Sequence, residues 1–493
     1  MMKKIISLIK KHEHFVIWIL AIFLVAGLSL NMQLAVTDEL WNFQNIYKMI
    51  QGGVIYQDSN VIITPLFFYL GFGLFKLLGA NFFVFRIYNI FIFSLFIVLI
   101  YELFRILKIS KTKSLLYTIV IYIINTTLPI IGANYNILAI DFVLLGILCF
   151  IKNQEKKRKG SWIFQGIIIF LVFLTKQNIG VYYMIGLILA EILIKQDKKK
   201  AIIELIQEFL VSAVLLFIFL IYLYLNGNLY GFLNYTVLGI REFAIQNLGF
   251  NLGESMMGIL MIVTIMIIWG VVYQLLKNKF SKEQNNNIQT LVIFSIAMLP
   301  IVYPIFNQAH IRIALIVSSV SIIYIFHEIL LKEMIVDSRK LQQIIAIILL
   351  IMIIFSFSHI ISWAGQTEKQ ELLYSNPYFG AIIPESMQQD ITEVCSFIKE
   401  NKKDVIILSR YAALYMVPLG KSHGAFDLPF LGNLGKEGED GLIQEIKQMD
   451  DKVILLPKEK DFIQESEKVD HFIRENYQNI GEINNFDIYE ITR

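Results

Sequence analysis

Charge is scarce in this chain. Of 493 residues, 17% are Asp, Glu, Lys or Arg, while 56% are hydrophobic. A soluble domain runs nearer a quarter charged and just under half apolar. A soluble fold must cover its core with polar surface. The shortage, with a mean hydropathy of +0.62, therefore excludes soluble, disordered and secreted disulfide-rich classes and leaves an integral membrane protein. Cysteine is nearly absent: Cys149 lies in an apolar run and Cys395 in the polar tail. Neither a disulfide framework nor a cysteine-based zinc site is available. A net charge of +3 gives no footing for a nucleic-acid partner. No period of roughly 20–50 residues is evident, and no inverted repeat stands out, which counts against a repeat-built transporter. The glycine-rich stretch 420–441 lacks phosphate-loop spacing, and no Gly-Lys-Ser/Thr follows a strand, so nucleotide binding is not expected.

What is present is a succession of apolar runs, long enough or nearly so to cross roughly 30 Å of hydrocarbon. They lie near 14–34, 82–104, 114–132, 136–151, 161–176, 179–194, 205–226, 255–276, 288–306, 309–331 and 341–363. This predicts a polytopic α-helical membrane protein with about 11 transmembrane helices. Lys3, Lys4, Lys10 and Lys11 precede the first run and no small-residue cleavage pattern follows it, as in a retained signal anchor. The run 61–79, interrupted by Pro65, Gly71 and Gly73, would invert the parity of everything after it if it crossed. Positive charge decides the matter. Basic residues cluster at 3–11, 105–113, 152–159, 195–200, 277–282 and 332–340. With 61–79 kept outside, about 23 Lys and Arg fall on the cytoplasmic side against about 6 outside before the tail, as the positive-inside rule requires. The expected topology is multi-pass in the cell membrane. It has a cytoplasmic N-terminus and a long first outer loop, 31–81, with interfacial helices.

Composition shifts after Trp363. Strand-like runs at 405–408, 453–456 and 488–491 alternate with polar stretches of helical period at 385–399 and 459–476. These predict a small extracytoplasmic α/β domain. The chain thus divides into a transmembrane module, 1–363, and a C-terminal domain, 364–493. The tail is expected to pack over the outer cavity as a lid or acceptor platform, with 420–441 as its mobile part.

The first outer loop is the most informative stretch. Asp38 and Glu39 follow the first span at once and open a helix expected to end at Gly52 and Gly53. Leu40, Phe43, Tyr47 and Ile50 would form its apolar face on the membrane. Thr37 stands at the N-cap position, and acids in a first turn suit the dipole of any helix. Position alone therefore leaves both a structural and a catalytic reading of the two acids.

The motifs resemble those of GT-C glycosyltransferases, in the branch of protein O-mannosyltransferases and lipid A aminoarabinose transferases. They read Asp38 and Glu39, then Gly53, Tyr56 and Asp58, then Thr64, Pro65 and Leu66 with aromatics after them, and finally Gly79 and Arg86. Thr64 replaces the first Pro of the usual Pro-Pro-Leu. The resemblance implies transfer of a sugar from a polyprenyl-phosphate carrier to a glycan, lipid or protein acceptor on the outer face, by an inverting displacement. Such a reaction needs a carboxylate for the acceptor proton and cationic groups for the departing phosphate. Asp38 is the expected base, with Glu39 second. Asp141, about one turn inside a span, is either an assisting site acid or a packing group between helices. Asn134 stands where the mannosyltransferases carry an Arg, so no phosphate role passes to it. Lys176 and Arg312 are the expected phosphate ligands; Asp58, Arg86 and His310 complete the substrate-binding set. His310 with Asp38 or Glu39 also leaves a divalent metal open, without a ligand signature. Two rival readings share the lipid carrier: a lipid-linked glycan polymerase or ligase using a diphosphate donor, and a carrier transporter or flippase. A transporter should place charge at the bilayer midplane, whereas these polar residues gather at the outer ends of spans.

Overall fold

The computed structural model describes residues 13–36, 38–125, 134–155, 160–250, 280–303, 308–331, 369–421, 429–459 and 465–491, with isolated positions 270, 274 and 305. These residues are mostly helical with a small C-terminal sheet region. A helix stands at each expected span inside them: α1 Glu13–Ser29, α4 Phe82–Ile106, α5 Lys111–Asn125, α6 Asn134–Glu155, α7 Ser161–Thr175, α8 Gln177–Ile194, α9 Lys198–Leu225, α11 Lys282–Met298 and α13 Ile316–Leu331. Between them lie α2 Asp38–Ile50, α3 Leu66–Leu78, α10 Ile240–Phe250 and α12 Gln308–Ala314. Five apolar segments among the described residues, in α4, α6, α8, α9 and from α11 to Val302, are long enough to cross a membrane by length and composition. The spans expected at 255–276 and 341–363, the N-cap Thr37 and the basic cluster at 3–11 lie outside the described residues.

The run 61–79 resolves into an irregular segment and α3, whose 13 residues rise only about 20 Å. That is short of the roughly 30 Å of a hydrocarbon core. Pro65 at its start has no N–H to give, so a helix begins there at little cost. The central helix is α4, buried along most of its length and packed by α1, α5 and α6. At its first turn, Phe82 and Phe85 meet Phe43 of α2 with ring centroids 5.4 and 5.8 Å apart.

Side-chain hydrogen bonds brace the 31–81 loop internally and tie it to distant elements. Tyr56, at φ +69°, donates its hydroxyl to Ile63 O at 2.8 Å. Asn228 donates to Ile55 O at 2.5 Å, and Gln57 donates to Gly227 O at 3.1 Å. Thr64 donates to Phe173 O at 2.7 Å and Gln177 to Ile62 O at 2.7 Å. The loop is therefore held against the turn between α7 and α8. That turn is tight, because a Cβ on Gly180 would lie 2.6 Å from Phe173 Cα.

In the C-terminal region, β1 Gln370–Leu372 pairs antiparallel with β2 Ile382–Pro384. After α14 Glu385–Glu400 comes a four-stranded sheet of β3 Asp404–Ile407, β4 Lys452–Pro457, β5 Gln478–Ile483 and β6 Phe486–Ile491. Its order is β3-β4-β6-β5, with only β3 and β4 parallel. The helices are α15 Ala412–Met416, α16 Gly438–Gln448 and α17 Glu467–Asn476. Two details differ from the sequence expectation. The last helix starts at Glu467 rather than near 459, because Ser466 accepts from Val469 N at 3.0 Å and caps it there. The glycine-rich stretch is not one loop, since α16 begins inside it and buries Leu442, Ile443 and Ile446.

This region packs on the helices. Leu34 N donates to Ile382 O at 2.8 Å, Phe82 N to Pro377 O at 2.9 Å and Phe83 N to Phe379 O at 2.9 Å. Tyr378 enters the same aromatic cluster, 5.8 Å from Phe43.

Candidate active site

Asp38 begins α2 directly after the link from α1. Lys176 sits in extended backbone between α7 and α8, and His310 lies in α12. These three side chains line one cavity of about 450 Å³. Asp38 is exposed to this cavity; desolvation by the surrounding protein pushes its carboxyl above the usual range while the Lys176 charge opposes the shift. Lys176 is 8% exposed. Burial lowers its ammonium to about 8, with Asp38 acting in the opposite direction. Its Nζ donates to Asn136 Oδ1 and stands 5.3 Å from the Tyr135 ring centroid. Burial, reinforced by the Lys176 charge, pushes His310 down to about 3. The imidazole is therefore neutral, and the cavity's only full positive charge among its described lining comes from Lys176.

The rest of the wall separates into kinds. Asn136, Gln177, Asn178 and Asn433 supply amides; Trp41, Tyr135, Tyr182, Phe243, Tyr303 and Phe430 supply rings; Ile240, Ile301 and Ile313 supply aliphatic surface. Gln177 and Asn178 adjoin Lys176 in sequence, so their presence follows from the same turn. Asn433 and Phe430 come from the C-terminal region and carry no local signal that would bring them here.

Other expected site residues are placed elsewhere. Glu39 and Arg86 are both fully buried and form an ion pair, Arg86 Nε to Glu39 Oε1 at 3.1 Å. Arg86 also donates to Met32 O at 2.7 Å and Gln33 O at 3.2 Å, while Glu39 Oε2 accepts from Ala35 N at 3.0 Å. This pair fixes the link preceding Asp38 and does not line the cavity. Asp58 folds its own turn, accepting from Val54 N at 2.6 Å. Asp141 is 1% exposed; neither carboxyl oxygen has a hydrogen-bond partner among the described residues, and it is not on the cavity wall. Arg312 is absent from that wall although His310 and Ile313 belong to it. Two residues along a helix is about 200° of rotation, which turns Arg312 away from the face bearing His310. Among the described residues no group of three or more metal-ligating side chains gathers. Asp38 and His310 are the two such donors on this wall.

A smaller cavity of about 270 Å³ lies within the C-terminal region, where β3 and β4 end. Its Arg474 is held by Asp470 at 3.0 Å and Asp487 at 2.7 Å, a structural arrangement.

No curated protein matches the chain. The model of the dolichyl-phosphate-mannose-protein mannosyltransferase family matches residues 63–224. That stretch contains Arg86, Asp141 and Lys176 and stops short of His310. Over it the chain is similar to membrane glycosyltransferases that use a polyprenyl-phosphate sugar, in agreement with the resemblance carried by its motifs.

Proposed function

We propose that the protein transfers a sugar from a polyprenyl-phosphate carrier to an acceptor hydroxyl on the outer face of the membrane, in the cavity that Asp38 and Lys176 share. The supporting observation is that pairing: one carboxylate and one ammonium face a common volume beside an aliphatic wall. The acceptor oxygen attacks the anomeric carbon from the side opposite the phosphate. Its proton passes to Asp38, whose raised pKa makes the ionised carboxylate a stronger base. The anomeric C–O bond to phosphate breaks, its electron pair leaves with the phosphate, and Lys176 stabilises the charge that appears. His310, neutral, serves as a hydrogen-bonding group. Ile240, Ile301 and Ile313 suit the first prenyl units of the carrier. Glu39 and Arg86 hold the start of α2 and so aim Asp38.

Asp38→Asn keeps size and helix-start geometry but removes the charge. Turnover should fall by roughly 10²-fold or more, the low end for a lost general base. A residue serving only the helix start would cost about 0.3–1 kcal/mol of stability and spare activity. A transferase assay on folded Asp38→Asn protein in nanodiscs separates the two, and near-normal turnover ends the catalytic assignment.

A further inference from the structure

The C-terminal region supplies part of the cavity wall, and it does so through one short segment. Phe430, Leu431 and Asn433 line the cavity and are 6%, 8% and 8% exposed, so they are built into it rather than draped over it. The segment is held at two glycines. Gly432 has φ +90°, and a Cβ there would lie 2.7 Å from Phe243 Cα; Gly435 has φ +72°, and a Cβ there would lie 2.5 Å from Asn234 Nδ2. Asn234 also accepts from Lys436 N at 2.9 Å. Phe430 forms an isolated antiparallel bridge with Glu465. This backbone is seated on α10 and the π segment Asn234–Leu238, with no room for larger residues at the seat.

The chemistry of the wall is selective. Phe430, Leu431, Gly432 and Asn433 bring an aromatic ring, an aliphatic side chain and an amide, and no charge. The described charged lining, Asp38 and Lys176, comes from α2 and the α7–α8 turn. Aromatic faces take the C–H surface of a sugar ring, and amides pair with hydroxyls both as donors and as acceptors. Among the described residues no cation lines this side of the cavity for a phosphate-bearing polymer to meet.

We infer that residues 430–433 form the acceptor subsite, and that the acceptor is a neutral glycan whose terminal sugar lies against Phe430 and Phe243 with a hydroxyl on Asn433. This rests on the transferase reading above and adds the acceptor class to it. The bonds are those of the transfer step: the glycan oxygen gains the anomeric carbon and loses its proton to Asp38, and the carrier phosphate leaves. Residues 430–433 lie outside the stretch matched by the mannosyltransferase family, so acceptor choice is assigned to a part of the chain that the match does not cover.

The test uses full-length protein in nanodiscs with radiolabelled prenyl-phosphate mannose, glucose and galactose. Acceptors are a neutral hexose–N-acetylhexosamine oligosaccharide, a serine- and threonine-rich peptide and a glycerol-phosphate oligomer. Asn433→Ala should raise the oligosaccharide KM about tenfold, as for one lost hydrogen bond, and raise donor KM by less. Gly432→Ala should act in the same direction. Unchanged oligosaccharide KM in both variants, or preferred transfer to the peptide or the glycerol-phosphate oligomer, overturns the inference. A benzophenone side chain at Leu431 supplies a readout independent of turnover. Its crosslink to the oligosaccharide supports the subsite, and failure to crosslink overturns it. If no hexose leaves any donor while that crosslink forms, the transferase reading falls and the glycan site stands.

Discussion

A lysine that holds a departing phosphate has to be charged, and burial works against that charge in Lys176, bringing its ammonium to about 8. Raising the pH through that value removes the proton and with it the positive charge. The alkaline limb of kcat/KM for the donor should therefore fall near pH 8, since this ratio reports groups of the free enzyme. A bound phosphate favours the charged form, so the same limb in kcat should move to higher pH. Asp38 must be ionised to accept a proton, and desolvation by its surroundings raises its carboxyl. The acid limb should accordingly lie above the ordinary carboxylate range. Lys176→Gln should abolish the alkaline limb and lower kcat/KM by roughly 10²-fold, the scale of one lost electrostatic stabiliser. A pH profile unchanged by that substitution would remove Lys176 from the phosphate. At this scale the sequence was partly legible. Asp38 and Lys176 stood out because few charged groups occupy the ends of spans on that side. Glu39, its neighbour, ranked second by position alone. What separates them is a partner 47 residues away, Arg86, and no local spacing encodes that.

Elements carry the next level of argument, and the Glu39–Arg86 pair joins three of them: α2, α4 and the link after α1. Arg86 makes hydrogen bonds to Glu39, Met32 and Gln33 at once. A planar guanidinium presents five donors in a fixed fork, which a lysine does not reproduce. Arg86→Met leaves the Glu39 carboxylate buried without its cation, which should cost about 3–5 kcal/mol. Adding Glu39→Gln to the same protein should recover part of the loss. Thermal unfolding in detergent reads both, and a single variant as stable as the parent would show that the pair is not structural. Among the described residues helices were legible where an apolar run was long: the limits of α4 and α8 follow the runs closely, whereas α9 starts at Lys198, well ahead of the run at 205–226. The polar edge strand β5 was not legible, because its residues are exposed along nearly the whole strand and so show no alternation. The helix α16 was hidden by its glycines, although Leu442, Ile443 and Ile446 repeat at helical spacing.

For the whole molecule, the question is which parts share a side of the membrane. Lys76 ends α3 and Lys108 follows α4. Between them α4 runs 25 residues, or roughly 37 Å, enough to cross the bilayer. The C-terminal region is fixed relative to them by backbone hydrogen bonds: Phe82 N to Pro377 O at 2.9 Å lies at the start of α4, the end next to Lys76. A chain with that contact has no freedom to place its tail on the side of Lys108. Positive charge gives the expected direction, since Lys108 belongs to a basic cluster and such clusters favour the cytoplasmic side. Single cysteines at Lys76, Lys108 and the exposed Tyr374, in a Cys149→Ser/Cys395→Ser background, turn this into a measurement. A maleimide that does not enter cells should label the cysteines at 76 and 374 in intact cells and reach the one at 108 only after permeabilisation. Labelling of 76 and 108 from the same side would mean that α4 does not cross. The 31–81 loop would then lose its place at the membrane surface, and Asp38 its access to an acceptor arriving from outside. Labelling of 374 together with 108 would instead break the link between the tail and the cavity, and the acceptor wall with it.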